Sequence, residues 1–520
     1  MRLRGSSTPL RFRLPTGSLN ARTIICAAPI IVAISAFYLF LASSGTFQDL
    51  PTQSDYYDRM AEGFRAGHLY IVEAPPPALL AKEDPFRFAN RPLWLWDASL
   101  YNGRYYLYWG PAPALLLLAY KVVVGTHERI TDQWPTALFM IGRLWAGAAL
   151  ILSLVSRPKL RQPTWLSCLA IAVFGLGNPT PFIVARPHVY EAALAGGQCF
   201  LFWGLVAAFW GIEVARRRAL LFTAAGIAWG LAIACRVTNF MSVPAVVAVT
   251  AAFAWYNSSR AWRPWVRDCV ALSLPIVAVS VAYGLYNYAR FGAPTEFGVT
   301  YQLSTMPFWG NNAYIIPNIL SYLFAPIEVS CRFPFFWMST DLKLSSLIRW
   351  PSGYQTFELI GGIMLTTAWC WLAPLLVARV AVHLHASYRA PRSSDGASWI
   401  RSHESWLVLT ALGTMVAMIP ALPFWQASMR YVEDALGGML LLSNCCAFWL
   451  VRRSTAGRSH IARWLSRIIV VFLALQSVVV GSLVAFRSYY DPFIAQNPAL
   501  YQKLELDLSV CRKGHPDAPP

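Results

Sequence analysis

Ionisable side chains stand directly at the ends of long apolar segments in this sequence. Asp55 and Asp58 follow the first apolar segment, in QSDYYDRMAEGFRAGHLYI, and Glu191 opens a later one, in RPHVYEAALAGG. A charged group at or inside a membrane costs a few kcal/mol or more, so each carboxylate is a candidate for function. Carboxylates in such places can accept a proton from an attacking hydroxyl, and a pair of them could hold a divalent cation.

Arginines occupy similar positions at the ends of apolar segments. A guanidinium stays charged at any working pH and binds phosphate through two parallel hydrogen bonds. The candidates for phosphate binding are Arg186, Arg236, Arg290 and Arg430. Acids and arginines that meet on one face of a membrane would suit a phosphosugar attached to a lipid.

Each of these residues also has a structural interpretation. A lone arginine at a helix end often extends to the lipid headgroups. His188, next to the Glu191 motif, is typical of a hydrogen-bonded filler. Glu433 and Asp434 are expected to pair with Arg430 rather than to act in catalysis. The joint pattern is more informative than any single member.

The composition indicates a polytopic helical membrane protein. Of the 520 residues, 56% are hydrophobic and 13% are charged, and the mean hydropathy is +0.44. Soluble domains of this length have a more polar composition. The net charge of +18 comes from short arginine clusters between apolar segments, which orient a membrane protein, and we predict no nucleic-acid partner.

Hydropathy predicts an all-α fold with roughly eleven membrane spans. They lie near residues 23–44, 135–155, 164–184, 190–212, 219–235, 239–256, 268–288, 356–380, 405–423, 433–451 and 464–486. If the basic N-terminal tail, 1–22, is cytoplasmic, every second loop is cytoplasmic, and each of those loops is basic. The N-terminus is therefore predicted inside and the C-terminus outside.

The segment 105–125 is apolar but contains Gly110, Pro111 and Pro113. Counting it as a span would place the later basic loops outside, so we predict that it lies at the interface. The predicted units are an N-terminal membrane module, 23–289, with a first outer loop, 45–134; a second outer loop, 290–355; C-terminal membrane helices, 356–487; and an outer tail, 488–520.

Short motifs follow one another in a recognisable order. The first outer loop opens with an acid and a Tyr…Ala stretch that ends in glycine, followed by an Asn-Gly turn, tyrosines and a proline-rich apolar helix. A second acid begins the fourth span, and an Arg-Tyr pair comes late. The residues concerned are Asp55, Tyr57, Ala61, Gly67, Asn102, Gly103, Tyr106, Tyr108, Pro111, Pro113, Glu191, Arg430 and Tyr431.

This order resembles the GT-C superfamily of integral membrane glycosyltransferases, nearest to the lipid A aminoarabinose transferases and the protein O-mannosyltransferases. The resemblance is best through residue 260 and departs from the family at three places. The family's first acid falls about two positions before Asp55, so Asp49 and Asp58 are rivals for its role. Trp109 replaces a family lysine, which moves its phosphate contact to Arg104 or another arginine, and Glu191 replaces an aspartate.

The resemblance implies transfer of a sugar from a polyprenyl-phosphate donor to an envelope glycolipid, polysaccharide or protein outside a bacterial inner membrane. Asp55, with Asp58 as rival, would be the base, and Glu191 a second acid. Asp55 and Glu191 could hold Mg²⁺ or Mn²⁺. The predicted substrate contacts are Arg104, Tyr108, Arg186, His188, Arg236, Arg290, Arg430 and Tyr431. The implied partners are the donor, membrane lipid and the acceptor, and the oligomeric state stays open.

Three other functions fit parts of the pattern. A flippase or transporter of lipid-linked sugars also needs a cationic cavity, but it commonly has symmetric halves, which this sequence does not show. A polysaccharide ligase uses outer arginines but has its main outer loop late in the chain. A non-catalytic GT-C-like protein is the third.

The cysteines give little indication of chemistry. Most of them lie inside apolar segments, which is typical of small core residues. Cys331 and Cys511 fall in predicted outer regions, where a disulfide between them stays an open alternative.

Overall fold

A computed structural model describes residues 21–257, 261–304, 310–340, 350–389, 402–456, 459–488 and 491–511. The described chain is mainly helical, with two short β-hairpins. The helices are α1 Ala21–Ala42, α2 Tyr56–Arg65, α3 Pro77–Leu80, α4 Ala112–Val124, α5 Gln133–Val155, α6 Thr164–Leu176, α7 Thr180–Val184, α8 Val189–Glu213, α9 Arg218–Cys235, α10 Asn239–Asn257, α11 Trp262–Phe291, α12 Ile315–Phe324, α13 Ile363–Thr366, α14 Leu372–Arg389, α15 His403–Met415, α16 Met429–Ala456, α17 His460–Leu483, α18 Pro492–Gln496 and α19 Pro498–Leu508. The strands are β1 Ser99–Tyr101, β2 Arg104–Tyr106, β3 Ile327–Val329 and β4 Phe336–Met338.

Within the described residues, 10 helical segments are long and apolar enough to cross a membrane. They confirm the predicted all-α polytopic fold. The third predicted span is interrupted between α6 and α7, where the Asn178 side chain donates to the carbonyls of Val173 and Phe174 at 3.0 and 2.9 Å. These bonds satisfy carbonyls that the end of α6 leaves without helical partners.

The span predicted at 356–380 differs from the structure. Residues before Ile363 are irregular, and bridges join Ser339 to Ile360 and Gln355 to Gln426. The apolar helical part, Ala368–Val382, is shorter than the other candidate spans. Hydropathy could not place this boundary, because bridged segments and helices can be equally apolar.

The first outer loop forms a small layer of its own at one end of the bundle. It contains α2, α3, the β1–β2 hairpin and α4. Asn102 and Gly103, with φ of 48° and 69°, make the hairpin turn, as the Asn-Gly sequence favours. At about 1.5 Å per residue, the 13 residues of α4 span roughly 20 Å, well short of a bilayer core of roughly 30 Å. The segment 105–125 therefore contains no full crossing.

The C-terminal segment returns to the same end of the molecule. Cys331 and Cys511 form a disulfide. The Asn497 side chain donates to the Ser44 carbonyl at the end of α1, at 3.0 Å, and the Gln496 side chain donates to Thr52 Oγ1 at 2.5 Å. The tail is thus fixed both to the second outer loop and to the start of the first.

Ion pairs also join the helices inside the bundle. Arg143 of α5 and Glu433 of α16 are 1% and 0% exposed, and Arg143 Nη1 lies 2.9 Å from Glu433 Oε1. The Thr180 hydroxyl donates to the same oxygen at 2.8 Å and accepts from Arg143 at 2.9 Å. A buried charge that lacks a partner is strongly destabilising, so this pair fixes the relative placement of α5 and α16.

Candidate active site

Two adjoining cavities lie where the two outer loops meet the helix ends. The first, here the Arg430 cavity, has a volume of about 400 Å³ and is lined by Arg186, Arg236, Arg430 and Glu358 among others. The second, here the Asp55 cavity, has a volume of about 550 Å³. Both are lined by Trp96, Asp97, Arg186 and Tyr190, so these four residues stand between them.

Asp55 is held firmly on the wall of its cavity. Arg59 Nε lies 2.7 Å from Asp55 Oδ1, and Arg129 Nε lies 2.5 Å from Oδ2. Arg129 also donates to the carbonyls of Pro51 and Gln53, at 3.1 and 2.9 Å. Each carboxylate oxygen therefore already contacts a guanidinium, and these arginines make the cavity wall cationic.

A buried aspartate fixes the start of the helix that follows Asp55. Asp132 accepts hydrogen bonds from the Ser54 hydroxyl at 2.6 Å and from the backbone N–H groups of Tyr56 and Tyr57 at 3.2 and 3.3 Å. These N–H groups begin α2 and have no helical acceptor. Burial raises the pKa of Asp132 to about 7, although the three hydrogen bonds lower it.

The two rival aspartates line neither cavity. Asp58 Oδ1 lies 2.7 Å from the buried Lys121 ammonium, which also contacts Glu62 at 2.6 Å. Asp49 accepts from the Thr131 hydroxyl at 2.5 Å and from the Trp134 indole at 3.0 Å. The geometry therefore favours Asp55 as the acid that reaches a ligand, while Asp58 fastens α2 to α4.

Glu191 stands between two arginines beside the Arg430 cavity. It is 1% exposed, and its two carboxylate oxygens accept no hydrogen bond. Arg186 Nη1 and Arg430 Nε lie 3.9 and 4.0 Å from its Oε1. Glu358 contacts the same arginines, at 2.7 Å from Arg430 and 3.7 Å from Arg186. The four side chains form a shared cluster, in which Glu191 makes only long contacts.

Other predicted substrate contacts also reach the cavities. Tyr108, Arg236 and Tyr431 line the Arg430 cavity, and His188 lines the Asp55 cavity. Burial and the nearby arginines lower the pKa of His188 to about 3, so this imidazole stays neutral at physiological pH. A neutral imidazole can hydrogen-bond a sugar hydroxyl, but it cannot offer a charge to phosphate.

A close backbone approach brings the proline-rich loop to the site. A side chain at Gly110 would collide with the carbonyl of Ala234, near the end of α9. Glycine therefore lets the chain pass next to Arg236 and places the Tyr108 ring in the Arg430 cavity. The Tyr108 and Trp109 rings lie 3.9 Å apart between centroids.

Two predicted contacts line neither cavity. Arg290 donates to the Leu107 carbonyl at 2.6 Å and to the Asn287 side chain at 2.7 Å, and its guanidinium lies 3.9 Å from the Tyr286 ring centroid. Arg104 lies on β2 at the surface, with its guanidinium 4.5 Å from the Tyr70 ring centroid. Arg290 thus holds the loop after β2, and neither arginine stands where the two cavities would bind a phosphate.

The expected pairing of Glu433 and Asp434 with Arg430 is wrong. Glu433 pairs with Arg143, and Asp434 accepts three hydrogen bonds of 2.8–3.0 Å from Arg236. Arg430 pairs with Glu358 instead. Successive residues on a helix point in different directions, so adjacent acids contact different helices.

Sequence reasoning missed Glu358, Asp97, Arg129 and Gln302. Glu358 carries the same signal as Glu191, an acid at the start of an apolar segment, but it fell inside a predicted span. Asp97 lies in an aromatic stretch, WLWDASLY, before the hairpin. Its burial, at 6% exposed, depends on residues from three separate elements, which composition does not show.

The residues proposed for a divalent cation do not form a cation site. Both oxygens of Asp55 contact guanidinium groups, which repel a cation. Among the described residues, no group of three or more His, Cys, Asp or Glu side chains could hold a metal ion. We therefore derive no step through a metal.

No protein-family model matches the sequence, and no curated protein matches it. Similar solved structures include the Archaeoglobus fulgidus oligosaccharyltransferase in its apo form, with 12% identity over 95% of this chain and 61% of that chain, at a TM-score of 0.45. A structure of AglB from Archaeoglobus fulgidus in complex with an inhibitory peptide and a dolichol-phosphate matches with 11% identity, 95% and 61% coverage, and a TM-score of 0.45.

ArnT from Cupriavidus metallidurans bound to undecaprenyl phosphate matches with 12% identity over 92% of this chain and 77% of that chain, at a TM-score of 0.40. This chain spans about 61% of the length of the oligosaccharyltransferase chains. The residues of the two cavities, rather than this distant likeness, carry the functional proposal.

Proposed function

We propose that this protein is a membrane glycosyltransferase. It moves a sugar from a polyprenyl-phosphate donor to a cell-envelope acceptor, which is a glycolipid, a polysaccharide or a protein. The observation that carries the proposal is the meeting of two cavities at Asp97 and Tyr190. The Arg430 cavity is lined by arginines that can bind a phosphate, and the Asp55 cavity by Asp55, Arg59 and Arg129.

The donor phosphate is best accommodated in the Arg430 cavity. Arg186 lines this cavity, where its guanidinium can bind a phosphate through two parallel hydrogen bonds. Arg430 contacts Glu358 at 2.7 Å and donates to the Ser428 hydroxyl at 3.3 Å. Guanidinium groups stabilise the negative charge that develops on a departing phosphate. The acceptor then enters through the Asp55 cavity, so the two substrates approach the junction from opposite sides.

The orientation in the membrane is part of the proposal. α16 begins at the site with Arg430 and ends near Arg452 and Arg453, which we place in the cytoplasm. The disulfide between Cys331 and Cys511 belongs to the site end of the molecule, because the tail that carries it contacts Ser44 and Thr52. Disulfides persist in oxidising compartments, which supports an outer face such as that of a bacterial inner membrane.

Both halves of the membrane region contribute to the site. The N-terminal module, 23–289, supplies Asp55 and Arg186. Glu358 and Arg430 come from the C-terminal part, 356–487. We therefore expect the catalytic unit to need both parts, rather than the N-terminal module alone.

The test is transfer by the purified full-length protein. A panel of undecaprenyl-phosphate-linked hexoses and pentoses is supplied with membrane extract as the source of acceptor, and labelled sugar in the acceptor fraction is measured. We expect transfer by the wild type and a large loss in Asp55→Asn. Asp58→Asn, three positions further along the chain in α2, is the matched control. It should keep most activity, because Lys121 retains Glu62 as a partner.

Two outcomes would overturn parts of the proposal. If the wild-type protein neither transfers nor hydrolyses any donor, the proposed glycosyltransferase function is wrong. A transporter, a ligase or a non-catalytic protein would then be favoured. If Asp58→Asn loses activity while Asp55→Asn keeps it, the assignment of the two cavities is wrong.

A further inference from the structure

Asp97 occupies the wall between the two cavities. Its side chain lines both of them, although the residue is only 6% exposed. Its backbone has a φ of 61°, in the left-handed region that non-glycine residues rarely adopt, and its N–H donates to the Leu303 carbonyl at 3.1 Å. Residues with such strained backbones cluster at functional sites, so the position of Asp97 at the cavity junction indicates a functional side chain.

The carboxylate of Asp97 is held by neutral groups. Gln302 Nε2 donates to Oδ1 at 2.6 Å, and the Tyr190 hydroxyl donates to Oδ2. Asp55 differs, because a guanidinium contacts each of its oxygens. Neutral donors leave a carboxylate able to accept the proton of a substrate hydroxyl. Burial raises the pKa of Asp97 to about 6, close to the range in which a general base works best.

Tyr190 connects this acid to the arginines of the donor cavity. Its ring centroid lies 4.4 Å from the Arg430 guanidinium and 6.0 Å from that of Arg186. Its hydroxyl meets Asp97 at the other end of the ring. One side chain therefore sets the distance between the groups that would hold the donor phosphate and a carboxylate that opens to the acceptor cavity.

We propose that Asp97 is the catalytic base of this site and that it accepts the proton of the acceptor hydroxyl. The inference rests on the glycosyltransferase function proposed above. The acceptor oxygen forms a bond to the anomeric carbon, while the bond from that carbon to the phosphate oxygen breaks. The electron pair of the broken bond leaves with the polyprenyl phosphate, and the acceptor proton passes to an oxygen of Asp97. Asp55 is then a positioning residue that holds Arg59 and Arg129 on the acceptor side.

Several charged or titratable groups act on Asp97 from the surrounding elements. The guanidinium groups of Arg186 and Arg430 favour its ionised form, and so does the hydrogen bond from Gln302. Tyr56 of α2 and Tyr108 of the proline-rich loop also interact with its charge. Tyr56 and Tyr108 are neutral at physiological pH, and so is His188 on the acceptor side, whose pKa is about 3. Asp97 is expected to titrate near pH 6, and the buried Asp132, which accepts from the Tyr56 N–H and has a pKa of about 7, titrates in a neighbouring range.

The experiment compares Asp97→Asn with Asp84→Asn, a matched change in a partly exposed residue of the same outer loop that lines neither cavity. Transfer is followed as release of undecaprenyl phosphate from the sugar donors, and binding of undecaprenyl phosphate is measured separately. We expect Asp97→Asn to lower the transfer rate by about 100-fold or more, since general bases contribute about 10²–10⁴-fold. Lipid binding should stay within about twofold, and Asp84→Asn should match the wild type.

A pH profile separates a base from a structural residue. The wild-type rate should rise with pH through about 6, because the base acts only when ionised. Asp97→Asn should lack that rise. Gln302→Leu removes a hydrogen bond that favours the ionised form of Asp97, so the rise of its transfer rate should move to higher pH. This variant also tests the inference if Asp97→Asn does not fold.

Each contrary result has a definite meaning. Transfer by Asp97→Asn within about threefold of the wild type would overturn the inference and leave the glycosyltransferase function standing. A parallel loss of lipid binding would instead assign Asp97 to donor binding and also overturn it. A profile that Gln302→Leu leaves in place would show that another group titrates. If the wild type shows no transfer, the proposed glycosyltransferase function is wrong, whatever the role of Asp97.

Discussion

Two charged clusters in this protein contain the same residue types but differ in how the charges are shared. Inside the bundle, Arg143 and Glu433 contact each other at 2.9 Å, and Thr180 completes the set. At the cavities, Arg186 lies 3.9 Å from Glu191 and 3.7 Å from Glu358. In the same cluster, Arg430 contacts Glu358 at 2.7 Å.

The difference indicates two uses for buried charge. Arg143 and Glu433 are 1% and 0% exposed and line neither cavity, so no ligand reaches them and the pair holds helices together. Arg186 and Arg430 line a cavity, where a guanidinium can bind an incoming phosphate. Access from a cavity is therefore more informative about function than the burial of an ion pair.

The largest effect is expected from breaking the exclusive pair. Glu433→Ala leaves Arg143 buried without its carboxylate, which should destabilise the protein by about 3–5 kcal/mol. Thermal unfolding in detergent and the yield of monodisperse protein would show it. Glu433→Ala combined with Arg143→Leu should recover part of the loss, because no charge then stays uncompensated. A single variant as stable as the wild type would contradict the structural role of the pair.

A smaller effect on stability, but a clear one on activity, is expected at the shared cluster. Glu191→Gln keeps the shape of a side chain whose oxygens accept no hydrogen bond. The free energy of unfolding of this variant should stay within about 1 kcal/mol of the wild-type value, because a conservative change that breaks no hydrogen bond has a small effect. Transfer should fall by about 100-fold, or about 2.7 kcal/mol of barrier, if Glu191 positions Arg186 and Arg430. Destabilisation as large as that of Glu433→Ala would remove the distinction between the clusters.

The smallest effect is expected on the stability of a variant of Asp97, whose carboxylate accepts hydrogen bonds from Gln302 and Tyr190. The folded-state pKa of Asp97, about 6, exceeds the ordinary aspartate value of 3.8, so the folded protein binds this proton more tightly than the unfolded chain. The stabilisation from protonated Asp97 is present below pH 3.8 and is lost as the pH rises through 6. Asp97→Asn lacks this loss, so it should gain about 2 kcal/mol over the wild type between pH 4 and pH 7.

Unfolding measured at both pH values checks this last prediction. A gain that is the same at pH 4 and pH 7 would mean that Asp97 does not titrate between the folded and unfolded states. The combination of lower activity and higher stability would be typical of a residue kept for its chemistry.

Hydropathy predicted most of the fold because lipid requires long apolar helices. It failed at residues 356–362, where an apolar stretch is bridged to distant residues instead of forming a helix. The short helix α4 could be predicted as interfacial because its prolines and the basic loops after it both excluded a crossing.

The site was predicted in part. Asp55, Arg186 and Arg430 line the cavities, and each stands at the end of an apolar segment, where charge is costly enough to be informative. Arg290 carried the same signal, but its partner is a carbonyl 183 positions away, and only the tertiary structure shows that contact. Asp97 carried no such signal, because its burial arises from packing between loops.

The disulfide between Cys331 and Cys511, 180 positions apart, closes a covalent ring that contains the last membrane helices and both Glu358 and Arg430. A protease cut at any one peptide bond within that ring leaves the chain a single covalent molecule until the disulfide is reduced. A tag on the N-terminus would therefore recover the fragments on both sides of such a cut under non-reducing conditions. The half of the site that comes last in the chain is thus secured to the rest by more than its contacts.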